Sequence, residues 1–161
     1  MRKAARGVDV PVVRAWDDGP AADLFAGRPS PHVVELPTVP DPRGDLTFVE
    51  GLSHVPFEIR RLYYFSGMRP GDARGSLAHL HSDLCLIAVS GRVRVRLDDG
   101  TRSISIVLER PTQGLVVPHM TWLEMDHFSP ETICLVLSSD RYDQTDYVRD
   151  YEEFLRLVGA A

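Results

Sequence analysis

Short segments of alternating apolar and polar residues follow one another through the middle of this chain, and they constrain its fold more than any other feature. Segments at 32–36 and 93–97 are examples, the run at 84–89 is apolar throughout, and some eight or nine short segments occur between residues 31 and 137. Glycine and proline separate them, and no stretch of helical periodicity intervenes. The series predicts an all-β fold, either a closed barrel or two packed sheets.

The clearest local signal is a hairpin. Residues 93–97 and 104–108 alternate on either side of the turn sequence Asp98-Asp99-Gly100. Arg92, Arg94 and Arg96 fall between apolar residues of this segment, so we interpret them as the solvated face of a half-buried strand.

The two ends of the chain differ from the middle. Residues 1–30 show no sustained period and are interpreted as an N-terminal extension with at most one short helix at 21–26. Residues 31–141 form the predicted β domain. Residues 142–161 are predicted to pack an amphipathic helix on it, with Thr145 as N-cap and apolar residues at Tyr147, Tyr151, Phe154 and Val158.

Charge and composition exclude several classes of protein. The net charge of -5 lacks the basic excess that a phosphate-tracking surface needs, so we expect no nucleic-acid partner. No apolar run approaches the roughly 18 residues that span a bilayer, and the N-terminal residues do not form a signal peptide, so we expect no membrane partner and a cytoplasmic protein. Cys85 and Cys134 lie in apolar runs and are interpreted as small buried hydrophobes.

Two histidines, His79 and His81, occupy a segment that is predicted to be a strand leading into a buried apolar run. Side chains two residues apart on a strand share a face, so both imidazoles are predicted to face one interior. They could be metal ligands, acid–base groups, or hydrogen-bonded core residues.

The sequence contains only part of the ligand pattern that a metal site would need. Metal-binding cupins add a glutamate a few residues after a His-x-His pair and a third histidine on a later strand. Here Asp83 and Leu84 stand where that glutamate is expected. The later candidates are His119, in a predicted turn, and His127, beyond a predicted strand. We therefore predict no metal ligand and no cofactor.

The acid–base interpretation needs partners for the histidines. Imidazole titrates near neutral pH and can take a proton from carbon beside a ketone and return one to the neighbouring carbon. Tyr63 could donate a hydrogen bond and Glu124 could orient a base. The candidate anchors for a phosphorylated substrate are Arg43, Arg61 and Arg74.

Several segments in a common order resemble the cupin-fold sugar nucleotide 3,4-ketoisomerases, which act on dTDP-4-keto-6-deoxyglucose. The resemblance runs from about residue 34 to 154 and rests on Asp41-Pro42-Arg43-Gly44-Asp45, on residues 56–64, on Arg74-Gly75, on Leu97-Asp98-Asp99-Gly100, on Pro111 with Gly114-Leu115, on Trp122-Leu123-Glu124-Met125 with Phe128-Ser129, on residues 135–140 and above all on residues 142–151.

This resemblance implies a cupin or jelly-roll β-barrel with a C-terminal α-helix, a homodimer, and metal-free catalysis on a dTDP-linked keto-deoxy sugar. It implies that histidines move the keto group from C4 to C3 through an enediol. The family positions that line the pocket fall here on Arg43, Arg61, Tyr63, Arg74 and His79, with Trp122 and Glu124 on a further strand.

The chain departs from the family pattern at two positions. The pattern Arg-Gly-x-His-Ala-His reads Arg-Gly-Ser-Leu-Ala-His here, so Leu77 replaces the first histidine and His79 is the second. Leu123 stands where the family tends to have histidine or arginine. His81, on the same predicted face, is the candidate substitute for the missing imidazole.

Three hypotheses follow. The first is a ketoisomerase with His79 as principal acid–base group, assisted by His81 and Tyr63. The second is an isomerase or epimerase of the same fold with an altered sugar nucleotide substrate. The third is a dTDP-sugar-binding protein without catalysis, since leucine at position 77 cannot carry a proton.

Overall fold

The computed structural model describes residues 12–13 and 29–160. The predicted helix at 21–26 lies outside the described residues, as does most of the predicted N-terminal extension. The strands are β1 (Val12–Val13), β2 (His32–Glu35), β3 (Thr38–Val39), β4 (Leu46–Thr47), β5 (Arg61–Phe65), β6 (Arg74–His79), β7 (Leu84–Ser90), β8 (Val93–Asp98), β9 (Ser103–Leu108), β10 (Gln113–Val117), β11 (Trp122–Asp126), β12 (Ile133–Ser138) and β13 (Tyr147–Val148).

The described strands form two large sheets, and this confirms the predicted all-β fold. One sheet has the order β1-β9-β8-β11-β6-β13 and the other β2-β10-β7-β12-β5, while β3 and β4 make a separate small hairpin. Pairing is antiparallel except between β1 and β9. The predicted hairpin is the β8–β9 pair, whose turn is closed by Asp98 and Asp99 accepting hydrogen bonds from backbone N–H groups.

The main core lies between the inner faces of the two sheets because each strand alternates its side chains. Leu86 of β7 and Val95 of β8 contribute to it from opposite sheets. Cys134 belongs to this inner core, whereas Cys85 belongs to a second cluster on the other face of the five-stranded sheet. Both cysteines are free and buried, as predicted, and burial raises the pKa of each thiol to about 12.

The C-terminal segment contains the predicted helix, but the helix begins later than the spacing suggested. Residues Gln144–Asp146 form a 3-10 turn, β13 pairs with β6, and α1 spans Tyr151–Val158. The N-cap is Asp150, whose carboxylate accepts a hydrogen bond from the backbone N–H of Glu153. Thr145 as N-cap is therefore wrong, because sheet pairing satisfies the backbone of residues 147–148 before the helix starts. The apolar stripe is correct at Phe154, which is fully buried.

Among the described residues, the helices are too short to cross a membrane.

A close approach between β6 and β11 depends on Gly75. Its φ is +86°, and a Cβ at this position would lie 2.6 Å from the carbonyl oxygen of Leu123. The register of the β6–β11 pair shifts here, between Leu123 and Glu124. This irregularity lies on one wall of the cavity described below.

We expect Gly75→Ala to lower the free energy of unfolding by more than the roughly 1–3 kcal/mol that a left-handed non-glycine residue costs, because the added methyl also overlaps the backbone of β11. Gly71→Ala is the matched control, since Gly71 has φ +90° and nothing within 4 Å of the added Cβ. Urea denaturation of both variants measures the difference. Equal losses of stability would contradict the close approach.

Candidate active site

A cavity of about 420 Å³ is lined by residues from both sheets. Its polar lining residues are Tyr63 from β5, Arg74 and His79 from β6, Tyr147 from β13, and Arg149 just beyond β13. Strand pairing brings them together: β6 pairs with β13, and Tyr147 lies directly opposite His79. The two rings contact each other with centroids 4.6 Å apart.

His79 is held by a buried carboxylate that the sequence analysis did not single out. Its Nδ1 donates to Oδ2 of Asp146 at 2.8 Å, and the side chain is only 5% exposed. Asp146 also accepts hydrogen bonds from the backbone N–H of His81 at 2.7 Å and from the hydroxyl of Ser82 at 2.6 Å. The carboxylate therefore fixes both the imidazole and the loop that follows β6.

The charge states of this pair suit a base. Burial by itself raises the pKa of Asp146, but the hydrogen bonds from Ser82, His79 and His81 outweigh it and hold the pKa below its usual range. Burial lowers the pKa of His79, although the hydrogen bond and the charge of Asp146 oppose the shift. A neutral imidazole that donates from Nδ1 has its lone pair on Nε2, so Nε2 is the nitrogen that can accept a proton.

Tyr63 contributes a neutral phenol to the same cavity. Burial raises its pKa to about 12, so its hydroxyl stays protonated near neutral pH and can donate a hydrogen bond. The guanidinium of Arg61 lies over the Tyr63 ring at 4.8 Å and donates from Nη2 to the Tyr147 hydroxyl at 3.3 Å. Arg61 thus lies behind the cavity wall and contacts two of its aromatic residues.

Two exposed arginines contribute positive charge to the cavity lining. The guanidinium of Arg74 lies over the ring of Phe65 at 5.6 Å, and that of Arg149 lies over the ring of Tyr147 at 4.9 Å. Neither forms an ion pair with a carboxylate within residues 29–160. A planar guanidinium group that is not paired with a carboxylate can donate two parallel hydrogen bonds to the oxygens of a phosphate.

Comparisons with known proteins agree with this chemistry. Residues 30–159 match the family described as FdtA: WxcM-like, C-terminal. The chain belongs to this family.

Its relatives are named for one reaction type. The TDP-4-oxo-6-deoxy-alpha-D-glucose-3,4-oxoisomerase of Aneurinibacillus thermoaerophilus is 37% identical over 126 residues, covering 78% of this chain and 91% of that protein. A 3,4-ketoisomerase from Helicobacter canadensis is 40% identical with a TM-score of 0.78, covering 80% and 97% of the two chains. The WlaRB TDP-quinovose 3,4-ketoisomerase from Campylobacter jejuni is also 40% identical, with a TM-score of 0.76 and coverage of 78% and 97%. The two-sheet architecture of this chain is thus the cupin-like fold of these ketoisomerases.

His81 does not join His79 in the cavity, and the predicted shared face is wrong. Strand β6 ends at His79, so the alternation that would have aligned the two side chains stops there. The exposed side chain of His81 lies instead in a separate depression of about 370 Å³, together with Arg60, Tyr142 and Asp143.

Trp122 and Glu124 also lie outside the cavity. On β11 the alternate residues Leu123 and Met125 line the cavity, so Trp122 and Glu124 project from the opposite face. The indole N–H of Trp122 donates to Glu124 at 3.3 Å, and its ring packs on Phe154 of α1. These two residues were expected to line the pocket, but the alternation of side chains along β11 places them on the opposite face.

Arg43 is the remaining predicted anchor, and the structure places it in the exposed loop between β3 and β4. Its guanidinium forms an ion pair with Asp41 at 2.7 Å and does not line the cavity. Of the eight predicted site residues, the cavity brings together Tyr63, Arg74 and His79, with Arg61 directly behind them.

Sequence reasoning missed Asp146, Tyr147 and Arg149. All three stand in a segment that was interpreted as the start of the terminal helix, where Tyr147 counted as packing. The signal available was the alternation of Tyr147 and Arg149 about Val148, which is typical of a short strand.

The two leucines that depart from the family pattern face each other on the cavity wall. Leu77 of β6 and Leu123 of β11 are cross-strand partners, and both line the cavity. Together with Leu84 and Met125 they make an apolar wall without any group that can transfer a proton.

We expect Asp146→Asn to lower the pKa of His79 further, because the carboxylate's hydrogen bond and negative charge favour the protonated imidazole. An NMR pH titration of the His79 ring measures this. Asp83→Asn is the matched control, since Asp83 forms the same kind of contact with the exposed His119 at 2.8 Å and should leave His79 unchanged. A His79 pKa that stays constant or rises in Asp146→Asn would contradict the assignment.

Proposed function

We propose that this chain is a sugar nucleotide 3,4-ketoisomerase, which moves the keto group of a dTDP-4-keto-6-deoxyhexose from C4 to C3. The observation that carries the proposal is the buried imidazole of His79, which is fixed by Asp146 at Nδ1 and lines the cavity. The named relatives at 37–40% identity perform 3,4-isomerisation, and two of their names specify TDP-sugars.

The reaction requires two proton transfers at carbon and two at oxygen. His79 takes the proton from C3, the C3–C4 double bond forms, and the C4 carbonyl oxygen takes a proton to give an enediol. The C3 hydroxyl then loses its proton, the C3 carbonyl forms, and C4 receives a proton. The substrate neither gains nor loses electrons overall, so the steps balance with proton carriers alone.

Tyr63 is proposed as the group that serves the C4 oxygen. Its phenol is protonated near neutral pH because burial raises the pKa to about 12. A neutral donor of this kind stabilises the negative charge that develops on a carbonyl oxygen when the neighbouring carbon loses its proton. Tyr63 and His79 come from opposite sheets, so a sugar ring between the sheets contacts both.

The diphosphate is proposed to bind Arg74 and Arg149. Both guanidinium groups line the cavity and are stacked on aromatic rings that limit their rotation. Arg61 is proposed to support this side of the site through its contacts with Tyr63 and Tyr147.

Assembly as a homodimer is a further proposal. Leu62 and Tyr64 on edge strand β5 are 56% and 63% exposed, which is more apolar surface than an isolated edge strand usually leaves in water. Sedimentation equilibrium measures the mass, and a monomer at micromolar concentration would refute the proposal.

Metal-independent catalysis is proposed because the proton transfers balance without a Lewis acid. Within residues 29–160, no group of three His, Cys, Asp or Glu side chains is arranged to hold a metal. Dialysis against EDTA should leave the turnover rate unchanged.

The division into an N-terminal extension, a barrel and a C-terminal segment stays a prediction. The cytoplasmic location is also a prediction, and cell fractionation tests it.

We expect His79→Asn to lower turnover of dTDP-4-keto-6-deoxyglucose by a factor of about 10²–10⁴, the usual contribution of a general base. Binding of dTDP should stay close to the parent value, because the proposed phosphate ligands are untouched. Proton NMR of the reaction measures turnover, and calorimetry measures dTDP binding. Parent-level turnover in the variant would remove His79 from the mechanism, whereas dTDP binding without turnover in the parent protein would favour the non-catalytic alternative.

We expect Arg149→Ala to weaken dTDP binding by about tenfold or more, as loss of one charged hydrogen bond of about 1.5–3 kcal/mol predicts. Arg141→Ala is the matched control, because Arg141 lines the separate depression that contains His81. Calorimetric titration with dTDP compares the two variants. A larger loss in Arg141→Ala would place the nucleotide in that depression instead.

A further inference from the structure

We propose that the preferred substrate of this chain is a dTDP-linked 4-keto-2,6-dideoxy sugar, whose C2 methylene group packs on Leu77 and Leu123. This inference rests on the proposed function and deepens it by naming the substrate class. It follows from the order in which polar and apolar side chains line the two walls of the cavity.

The lining residues of β6 follow one another in the order that one edge of a sugar nucleotide requires. Arg74, a proposed diphosphate ligand, starts the strand, and His79, the proposed base, ends it. Leu77 lines the cavity between them. The diphosphate is attached at C1 and the base acts at C3. Since C2 joins these two carbons, the edge C1–C2–C3 runs along β6 with C2 opposite Leu77.

The opposite wall accounts for the rest of the ring. Tyr63 and Phe65 of β5 both line the cavity, with ring centroids 5.8 Å apart, and the guanidinium of Arg74 lies over the Phe65 ring at 5.6 Å. Tyr63 is the proposed partner of the C4 oxygen, so the edge C4–C5–O5 runs along β5 towards Arg74. The methyl group on C5 therefore contacts Phe65 and leaves the leucines to C2.

The side chains opposite C2 provide no hydrogen-bond partner for a hydroxyl. Leu77 and Leu123 are cross-strand partners, and Leu84 lines the same cavity. Leucine has no polar side-chain atom. Strands β6 and β11 each pair with a strand on both sides, so sheet pairing occupies their backbone. A C2 hydroxyl on this surface would lose its hydrogen bonds to water without replacing them.

The polar lining residues have other partners. The hydroxyl of Tyr147 accepts a hydrogen bond from Arg61 at 3.3 Å. Tyr63 is assigned to the C4 oxygen, the two lining arginines to the diphosphate and His79 to the C3 hydrogen. The C2 position is thus the part of the ring that contacts only apolar side chains.

The reaction does not use a group at C2. Its proton transfers involve C3, C4 and the oxygen atoms on these two carbons, so a methylene at C2 leaves every step and the balance of atoms unchanged. An apolar pocket rejects an added hydroxyl by a factor of up to roughly 10². We therefore expect selectivity of this size against a sugar that has a C2 hydroxyl.

The test compares dTDP-4-keto-2,6-dideoxyglucose with dTDP-4-keto-6-deoxyglucose on the full chain. Proton NMR follows loss of the C3 hydrogen, a step common to both substrates, against a sample without protein. Accumulation of product is not the readout, because a 3-keto sugar with a C2 methylene holds its diphosphate β to the ketone and can eliminate dTDP. We expect kcat/KM to be higher for the 2,6-dideoxy substrate by about 10-fold to 100-fold.

Equal kcat/KM values, or a higher value for dTDP-4-keto-6-deoxyglucose, would overturn the inference and leave the proposed function intact. If neither substrate loses its C3 hydrogen faster than the sample without protein, the proposed function falls together with the inference.

A pair of variants tests the contact with Leu77. Leu77→Asn adds an amide that can hydrogen-bond a C2 hydroxyl, and it should lower the ratio of the two kcat/KM values by about tenfold or more. Leu77→Met keeps the wall apolar at similar volume and should preserve the ratio. Both substrates are compared on one sample, so a loss of folded protein cancels from the ratio. Equal ratios in the two variants would contradict the contact between C2 and Leu77.

Discussion

The carboxylate of Asp146 connects the candidate active site to the closure of the fold. The carboxylate accepts hydrogen bonds from the His79 ring, the His81 backbone N–H and the Ser82 hydroxyl. The backbone carbonyl of Asp146 accepts another from the backbone N–H of Leu80. A buried carboxylate is costly unless such donors surround it. The end of β6, the loop after it and the 3-10 turn before β13 are therefore stabilised by the same group that orients the imidazole.

The apolar surroundings of His79 have two opposite consequences for its chemistry. They exclude other proton carriers, as at Leu77 and Leu123, and they also lower the pKa of His79 so that the imidazole is neutral and can act as a base. The charge of Asp146 limits this shift. Basicity in this cavity thus reflects a balance between desolvation and one fixed negative charge.

The sequence was sufficient for features that depend on local period and insufficient for those that depend on distant pairing. The strand pattern predicted the sheets and placed His79 toward an interior, because alternation operates within a few residues. The pattern failed at His81 because the strand ends before it. The pocket positions that the family resemblance implied for Trp122 and Glu124 failed for another reason, since both side chains lie on the face of β11 that is turned away from the cavity. Asp146 could not be predicted from local pattern, since 67 residues separate it from His79 and only the pairing of β13 with β6 brings them together.

The parallel pairing of β1 with β9 has a consequence for shortened forms of the chain. Val12 and Val13 lie beside Ser105 and Ile106 at the margin of the six-stranded sheet. A chain without Val12 and Val13 would leave the outer margin of β9 unpaired at Ser105 and Ile106. Open strand margins recruit other strands, so the pairing of Val12 and Val13 with β9 covers part of a margin that a second sheet could otherwise join.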